Sequence, residues 1–170
     1  MLTFAQFLLE AEGKGGQYAA YRFLSTKGIQ KYIDRNQIPN PIPTEKLHVT
    51  LLYSRKPMPG YKPLGLIAEP IKVMVEGFDV WDTQDGKKAL VARLDAPKVV
   101  ARHHELMKKY GGTFDYDEYR PHFTMSYDVG PDFDKDRLPP FQHDLYLNRE
   151  YGEELNTNWK DNDKADRSSE

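Results

Sequence analysis

Two five-residue stretches of the chain follow one formula. Leu47-His48-Val49-Thr50-Leu51 and Pro121-His122-Phe123-Thr124-Met125 each alternate apolar and polar side chains around a His-x-Thr centre. Alternation with a period of two marks a strand with one wet face and one buried face. It puts His48 and Thr50 on one face and Leu47, Val49 and Leu51 on the other. It likewise sets His122 and Thr124 opposite Phe123 and Met125. Each strand then presents an imidazole and a hydroxyl roughly 6–7 Å apart. The duplication narrows the choice of fold. A chain of 170 residues has material for one ordinary domain, or for one domain of two similar halves, and too little for two independent cores.

Strand and helix patterns alternate around the two motifs. Residues 17–25 are aromatic-rich and read as a strand. Ser25 or Thr26 caps a helix with Ile29, Tyr32 and Ile33 on one face, ending near Asn36. Residues 47–53 form the first motif strand, and the Pro/Gly-rich stretch 56–60 excludes regular structure. Residues 71–81 and Lys88–Asp95 read as strands joined at the turn signal Gln84-Asp85-Gly86. The apolar phase shifts at Gly77, from Ile71, Val73 and Val75 to Phe78 and Val80, which predicts a bulge. Pro97 opens a helix running to Tyr110. Its apolar face carries Val99, Val100, His103, Leu106, Met107 and Tyr110, and Gly111-Gly112 stops it. The second motif strand covers residues 122–127 and a last strand covers 142–148. The class is α+β, with mainly antiparallel sheet and flanking helices. Residues 17–155 form a single domain. Residues 1–16 read as a leader or short helix, and 156–170 as a polar, acidic tail.

Composition removes several function classes. The chain has no cysteine, so a disulfide scaffold, a thiolate metal site and a Cys nucleophile are excluded together. That fits a reducing, cytoplasmic setting. Apolar runs such as 71–75 are far short of the roughly 18 residues a membrane helix needs. The 24 basic and 26 acidic residues nearly balance, and the acids concentrate toward the C-terminus. A near-neutral body disfavours long nucleic acid as partner and leaves room for a small phosphate ligand. No obligate protein partner is evident.

Two imidazoles and two hydroxyls facing one cleft suit a phosphodiester. A neutral imidazole takes a proton from an attacking hydroxyl, and an imidazolium gives one to the leaving oxygen. The hydroxyls of Thr50 and Thr124, with nearby backbone N–H groups, donate to phosphate oxygens as charge develops. This chemistry needs no metal and no cofactor. Either histidine could be the base.

The motif pair resembles the signature of the 2H phosphoesterases, which carry two H-x-[T/S] motifs on two pseudo-symmetric α+β lobes. Tyr119-Arg120-Pro121-His122-Phe123-Thr124-Met125 looks especially similar to that group. The resemblance spans residues 17–148 and implies a bilobal domain with the cleft between its lobes, in which His48, Thr50, His122 and Thr124 form the catalytic quartet. Within the superfamily the chain is most similar to the phage anti-CBASS phosphodiesterases, which destroy cyclic oligonucleotide alarm signals. The cues are size, a Tyr-rich first strand, motif spacing and a C-terminal extension with carboxylates and a Trp. The opening Thr3-Phe4-x-x-Phe7-Leu8-x-Glu10 also looks similar to leader peptides of T4-like phage proteins. The resemblance implies a small cyclic oligonucleotide substrate, held by aromatic residues and an acid: Tyr18, Glu153 and Trp159. Arg120, beside the second motif, is a phosphate-attracting candidate. The implied reaction is attack of a ribose 2′-OH on its own 3′-phosphate. An RNA-processing 2H enzyme, acting on 2′,3′-cyclic ends or joining RNA halves, shares the quartet and stays open as an alternative. A nucleotide-sequestering sponge is the second alternative.

Other polar groups receive no chemical role. His103 and His104 diverge by about 100° on a helix and read as a partly exposed surface pair. His143 stands alone in a polar stretch. Asp115, Asp117 and Glu118 lack EF-hand spacing and read as a solvated loop. Lys46, Arg55 and Lys56 flank the first motif strand as further basic candidates.

Overall fold

The computed structural model describes residues 15–155. The strands are β1 (Gln17–Phe23), β2 (Val49–Ser54), β3 (Gly65–Asp82), β4 (Lys88–Asp95), β5 (His122–Ser126) and β6 (Leu145–Glu154). The helices are α1 (Lys27–Arg35), after β1, and α2 (Pro97–Tyr110), between β4 and β5. The fold is α+β. All strand pairs are antiparallel, in the order β2-β1-β6-β3-β4-β5.

One long strand makes this order bilobal. The first part of β3, from Gly65 to Val73, pairs with β6. The second part, from Met74 to Asp82, pairs with β4. A three-stranded unit β2-β1-β6 is thereby handed over to a unit β3-β4-β5. Pro70 cannot donate to a ladder, and it lies in the irregularity between Leu66 and Ile71 where pairing lapses. The expected bulge is present, between Val75 and Gly77.

The two motif strands, β2 and β5, stand at opposite ends of this order. In a flat sheet, five spacings of about 4.8 Å would hold them about 24 Å apart. Here β2 and β5 come into contact. The Ile42 N–H, on the loop before β2, donates to the Met125 carbonyl of β5 at 2.9 Å. Strand twist and bulges supply the curl that brings the ends round.

The helices lace the units together over one continuous core. α1 buries Ile29, Tyr32 and Ile33 as the periodicity predicts. Tyr32 stacks on Phe78 of β3 at 5.4 Å and 19°. α2 follows β4, yet it packs on β2. Pro97 sits in its first turn, and Gly111 ends it in the left-handed conformation (φ 71°), which glycine adopts without a Cβ penalty. At the start of α1 the Ser25 hydroxyl accepts from the Lys27 N–H, while the Thr26 side chain makes no cap.

The structure corrects the expected strand ends and the place of His103; β3 starts at Gly65 rather than Ile71, and β6 at Leu145 rather than Gln142. β1 ends at Phe23 rather than Ser25. β2 starts at Val49, so Leu47 and His48 precede the ladder. β6 runs on to Glu154 instead of stopping at Asn148. A register shift skips Asn148, between the pairs Arg22–Arg149 and Phe23–Leu147. That shift reverses which side chains face the core and erases the alternation a reader follows. Glu150 is therefore buried, held by Arg102 Nε and Nη2 at 2.8 Å each and by the Tyr61 hydroxyl at 2.9 Å.

A further correction concerns His103, which belongs to the core rather than to a surface pair. It is 1% exposed, its Nδ1 donates to the Leu51 carbonyl at 2.6 Å, and its ring stacks on Tyr119 at 4.0 Å and 8°. His143 packs beside Phe141 and the backbone of Gly28.

Candidate active site

His48 and His122 are anchored identically. Each Nδ1 lies 2.8 Å from the backbone carbonyl two residues earlier, that of Lys46 and of Arg120 respectively. A carbonyl only accepts, so Nδ1 carries the proton in both rings. In a neutral ring this leaves the Nε2 lone pair available; in a protonated ring it leaves an Nε2–H donor. Pro121 supports the second anchor, because the residue before a proline is held extended. Both rings are half-buried.

Tyr18, on β1, touches both groups of the first motif. Its hydroxyl shares a hydrogen bond with Thr50 Oγ1 at 3.2 Å, and its ring meets the His48 ring edge-on at 6.3 Å. His48 and Thr50 thus share a side although His48 precedes the ladder. Across the cleft, Trp81 of β3 meets His122 edge-on at 4.6 Å. Thr50 is half-exposed, whereas Thr124 is 4% exposed.

Burial lowers the pKa of His48 below its ordinary value of 6.5. The bond to Lys46 opposes this, while the charges of Arg22 and His122 reinforce it. His48 is therefore biased toward the neutral form, which accepts a proton.

Two cavities open beside the histidines. One, of about 450 Å³, is lined on the His48 side by Tyr18, Arg22, Lys46, Tyr127, Tyr151 and Glu153. The Arg22 guanidinium lies 4.6 Å over the Tyr151 ring. The other, of about 530 Å³, joins the motifs, being lined by both Thr50 and His122 along with Trp81, Tyr116, Asp117 and Arg120.

The structure brings together His48, Thr50, His122, Tyr18, Glu153 and Arg120 around these cavities. Arg120 is well exposed and pairs with Glu118 at 3.4 Å; its carbonyl anchors His122. Trp159 and the leader motif lie outside the described residues. Arg55 is engaged by Asp115 at 3.0 Å. Among the described residues, no three His, Asp or Glu side chains gather as a metal-holding group.

Sequence reading missed Trp81, Tyr151, Arg22 and Tyr119. Tyr151 follows a register shift in its strand, so its facing was not readable from local alternation; Trp81 belongs to no motif, and only the tertiary structure sets it against His122. Tyr119 was visible only as part of the second motif.

Paired imidazoles on two matching sheet units, each followed two residues later by a threonine, place the chain among two-histidine, H-x-T proteins. Residues 15–162 match the family described as anti-CBASS protein Acb1. The chain belongs to the Acb1 family. The anti-CBASS protein Acb1 of Enterobacteria phage T4 is 37% identical over 150 residues, covering 86% of this chain and 92% of the relative. Those of Salmonella phage S16 and Vibrio phage KVP40 are each 38% identical. The first covers 85% of this chain and 91% of its own length, the second 72% and 75%. The crystal structure of TT0787 of Thermus thermophilus aligns with a TM-score of 0.48 at 16% identity, over 80% of this chain and 82% of that one.

Proposed function

We propose that this chain is a phosphodiesterase that opens cyclic di- or trinucleotide messengers at a 3′–5′ bond. In the cytosol of an infected bacterium, that activity would blunt CBASS-type defence. The observation that carries the reading is the matched anchoring of His48 and His122 through Nδ1, with His48 lining one cavity and Thr50 and His122 sharing the other. Membership in the Acb1 family supports it.

In this mechanism the ligand's phosphate sits between the two rings. His48 Nε2, biased to the neutral form, takes the proton of the ribose 2′-OH. The O2′–P bond forms and the P–O5′ bond breaks. His122 Nε2–H gives its proton to O5′, and a 2′,3′-cyclic phosphate remains on the opened ring. Water can then add with the two histidines in exchanged roles. Thr50 and Thr124 donate to the phosphate oxygens as charge accumulates. The two cavities suit two bases of one ring: one beside Tyr18, Tyr151 and Glu153, the other beside Trp81 and Tyr116. Holding the 2′-OH in line is a large part of the acceleration.

The test is to incubate the protein with 3′,3′-cyclic GMP-AMP in EDTA and separate the products by chromatography. A linear product ending in a cyclic or terminal phosphate is expected, and its rate of formation should fall steeply in His48→Ala and His122→Ala. An all-deoxyribose ring should survive, since it has no 2′-OH. Intact ligand recovered after heat denaturation would identify a sponge instead. Activity on tRNA ends with none on cyclic dinucleotides would identify an RNA-processing enzyme.

A further inference from the structure

The two motif strands are not ladder neighbours, so no backbone ladder sets the spacing between them. One backbone bond, Ile42 to Met125, joins the approach to the first motif to the second motif strand, and a side-chain bond crosses the gap at the motifs themselves. The Tyr119 hydroxyl, three residues before His122, donates to the backbone carbonyl of Thr50, two residues after His48, at 2.6 Å. The next carbonyl of β2, that of Leu51, accepts from His103 Nδ1 at 2.6 Å. The two donor rings lie face to face at 4.0 Å and 8°. Phe114 meets His103 edge-on at 4.7 Å and Tyr119 at 5.9 Å. Tyr119 is therefore confined by a stacked ring, an aromatic edge and its own hydrogen bond. Between Tyr119 and His122 lie Pro121, which stiffens the chain, and Arg120, whose carbonyl anchors the His122 ring.

We propose that Tyr119 is a positioning residue, a latch whose hydroxyl holds the two H-x-T segments at their working separation, with His103 keeping its ring in place. The inference rests on the catalytic reading of the two histidines given above. It adds that, beside the Ile42–Met125 backbone bond, their spacing is fixed by a bond between side chain and main chain. A misplacement of about 1 Å can cost about 100-fold in rate, so a latch at this point acts on kcat.

The molecule supplies a matched control. The Tyr32 hydroxyl donates to the Pro139 carbonyl, also at 2.6 Å and also partly buried. Tyr119→Phe and Tyr32→Phe each delete one phenol-to-carbonyl bond and keep the ring. Both should lower Tm by a similar amount, about 2–4 °C. Only Tyr119→Phe should lower kcat on 3′,3′-cyclic GMP-AMP, by about 10-fold to 100-fold, with KM little changed. Wild-type kcat in Tyr119→Phe, or an equal loss in Tyr32→Phe, overturns the latch.

A second readout does not need turnover. In the ligand-free protein, the imidazole Cε1–H NMR signals of His48 and His122 should shift in Tyr119→Phe and hold in Tyr32→Phe; signals unmoved in both overturn the latch. If His48→Ala and His122→Ala cleave as wild type does, the catalytic reading fails, and these signals alone decide whether Tyr119 spaces the rings.

Discussion

His48 and His122 make the same hydrogen bond, Nδ1 to the carbonyl two residues back, yet one ring meets a tyrosine and the other a tryptophan. Around His48 lie Arg22, Lys46 and Tyr18, in a cavity closed by Tyr151 and Glu153. Around His122 lie Trp81 and the acidic segment containing Asp117 and Glu118. The hydroxyls differ as well: Thr50 is half-exposed and bonded to Tyr18, while Thr124 is buried. The backbone arrangement is duplicated, and the surroundings are not. In the proposed acid–base chemistry, that asymmetry biases which ring holds the proton. Once they interact, the pair titrates together, and apparent pKa values belong to the pair.

The largest effects should come from the histidines, and they test the assignment of roles. Loss of either ring is expected to cost roughly 10²–10⁴-fold in kcat. The residual activities should differ in shape. A base must be deprotonated, so the residual rate of His48→Ala should lose the fall at low pH. An acid must be protonated, so that of His122→Ala should lose the fall at high pH. A pH–rate series with the limbs exchanged would reverse the roles.

The threonines come next. Thr50→Val should lose about 10²–10³-fold in kcat, the scale of one donor to a developing oxyanion. Thr124→Val should lose less, because its hydroxyl is buried in the unliganded protein. Equal losses in a side-by-side rate comparison would show that the site rearranges enough on binding to erase the difference.

Smaller effects should separate the cavities. Stacking of a base on an aromatic ring is worth about 1–3 kcal/mol, so Trp81→Ala should raise KM by about 5-fold to 150-fold at 25 °C. Tyr151→Ala probes the opposite cavity. Comparing the two variants on cyclic di-AMP, cyclic di-GMP and the mixed ring would show which cavity carries base preference. The same loss for every ring would mean that neither discriminates.

The smallest effect is on stability and involves His103, which the proposed chemistry does not use. Burial lowers the pKa of His103, as it does that of His48, from the ordinary 6.5. The bond to Leu51 opposes the shift at His103, and the charge of His104 adds to it. As pH drops below 6.5, the unfolded chain binds protons before the folded one does. Stability is thus complete above that value and lost as pH falls toward the folded value. Tm measured between pH 8 and pH 5 should decline below about 6.5. His103→Gln, which keeps an N–H donor but does not titrate, should decline less steeply. A slope unchanged by this substitution would place the proton uptake elsewhere.

Legibility in the sequence followed how local each signal is. Ile29, Tyr32 and Ile33 repeat at helical spacing, and they are the residues α1 buries. Pro97 and Gly111 mark the ends of α2 because each acts through its own backbone dihedrals. The bulge at Gly77 was readable because the apolar phase visibly changes there. The shift at Asn148 was not, because polar residues occupy both faces beyond it. Glu153, singled out by the resemblance, lines a cavity, whereas nothing in the acidic stretch distinguished Glu150, which is buried. His103 read as surface because a one-dimensional pattern cannot show that the Leu51 carbonyl and the Tyr119 ring await it.

What the sequence determined by itself is the content of each motif strand: an imidazole and a hydroxyl on one side, apolar anchors on the other. Chain periodicity is enough for that, since neighbouring residues alone set which way a side chain points. Only the tertiary structure decided that the two ends of the strand order meet, that Tyr119 bridges them, and that the two rings have unlike neighbours. Those outcomes depend on sheet twist, bulges and the packing of each helix on the opposite unit. Such contacts join residues far apart in the chain, and no local pattern encodes them.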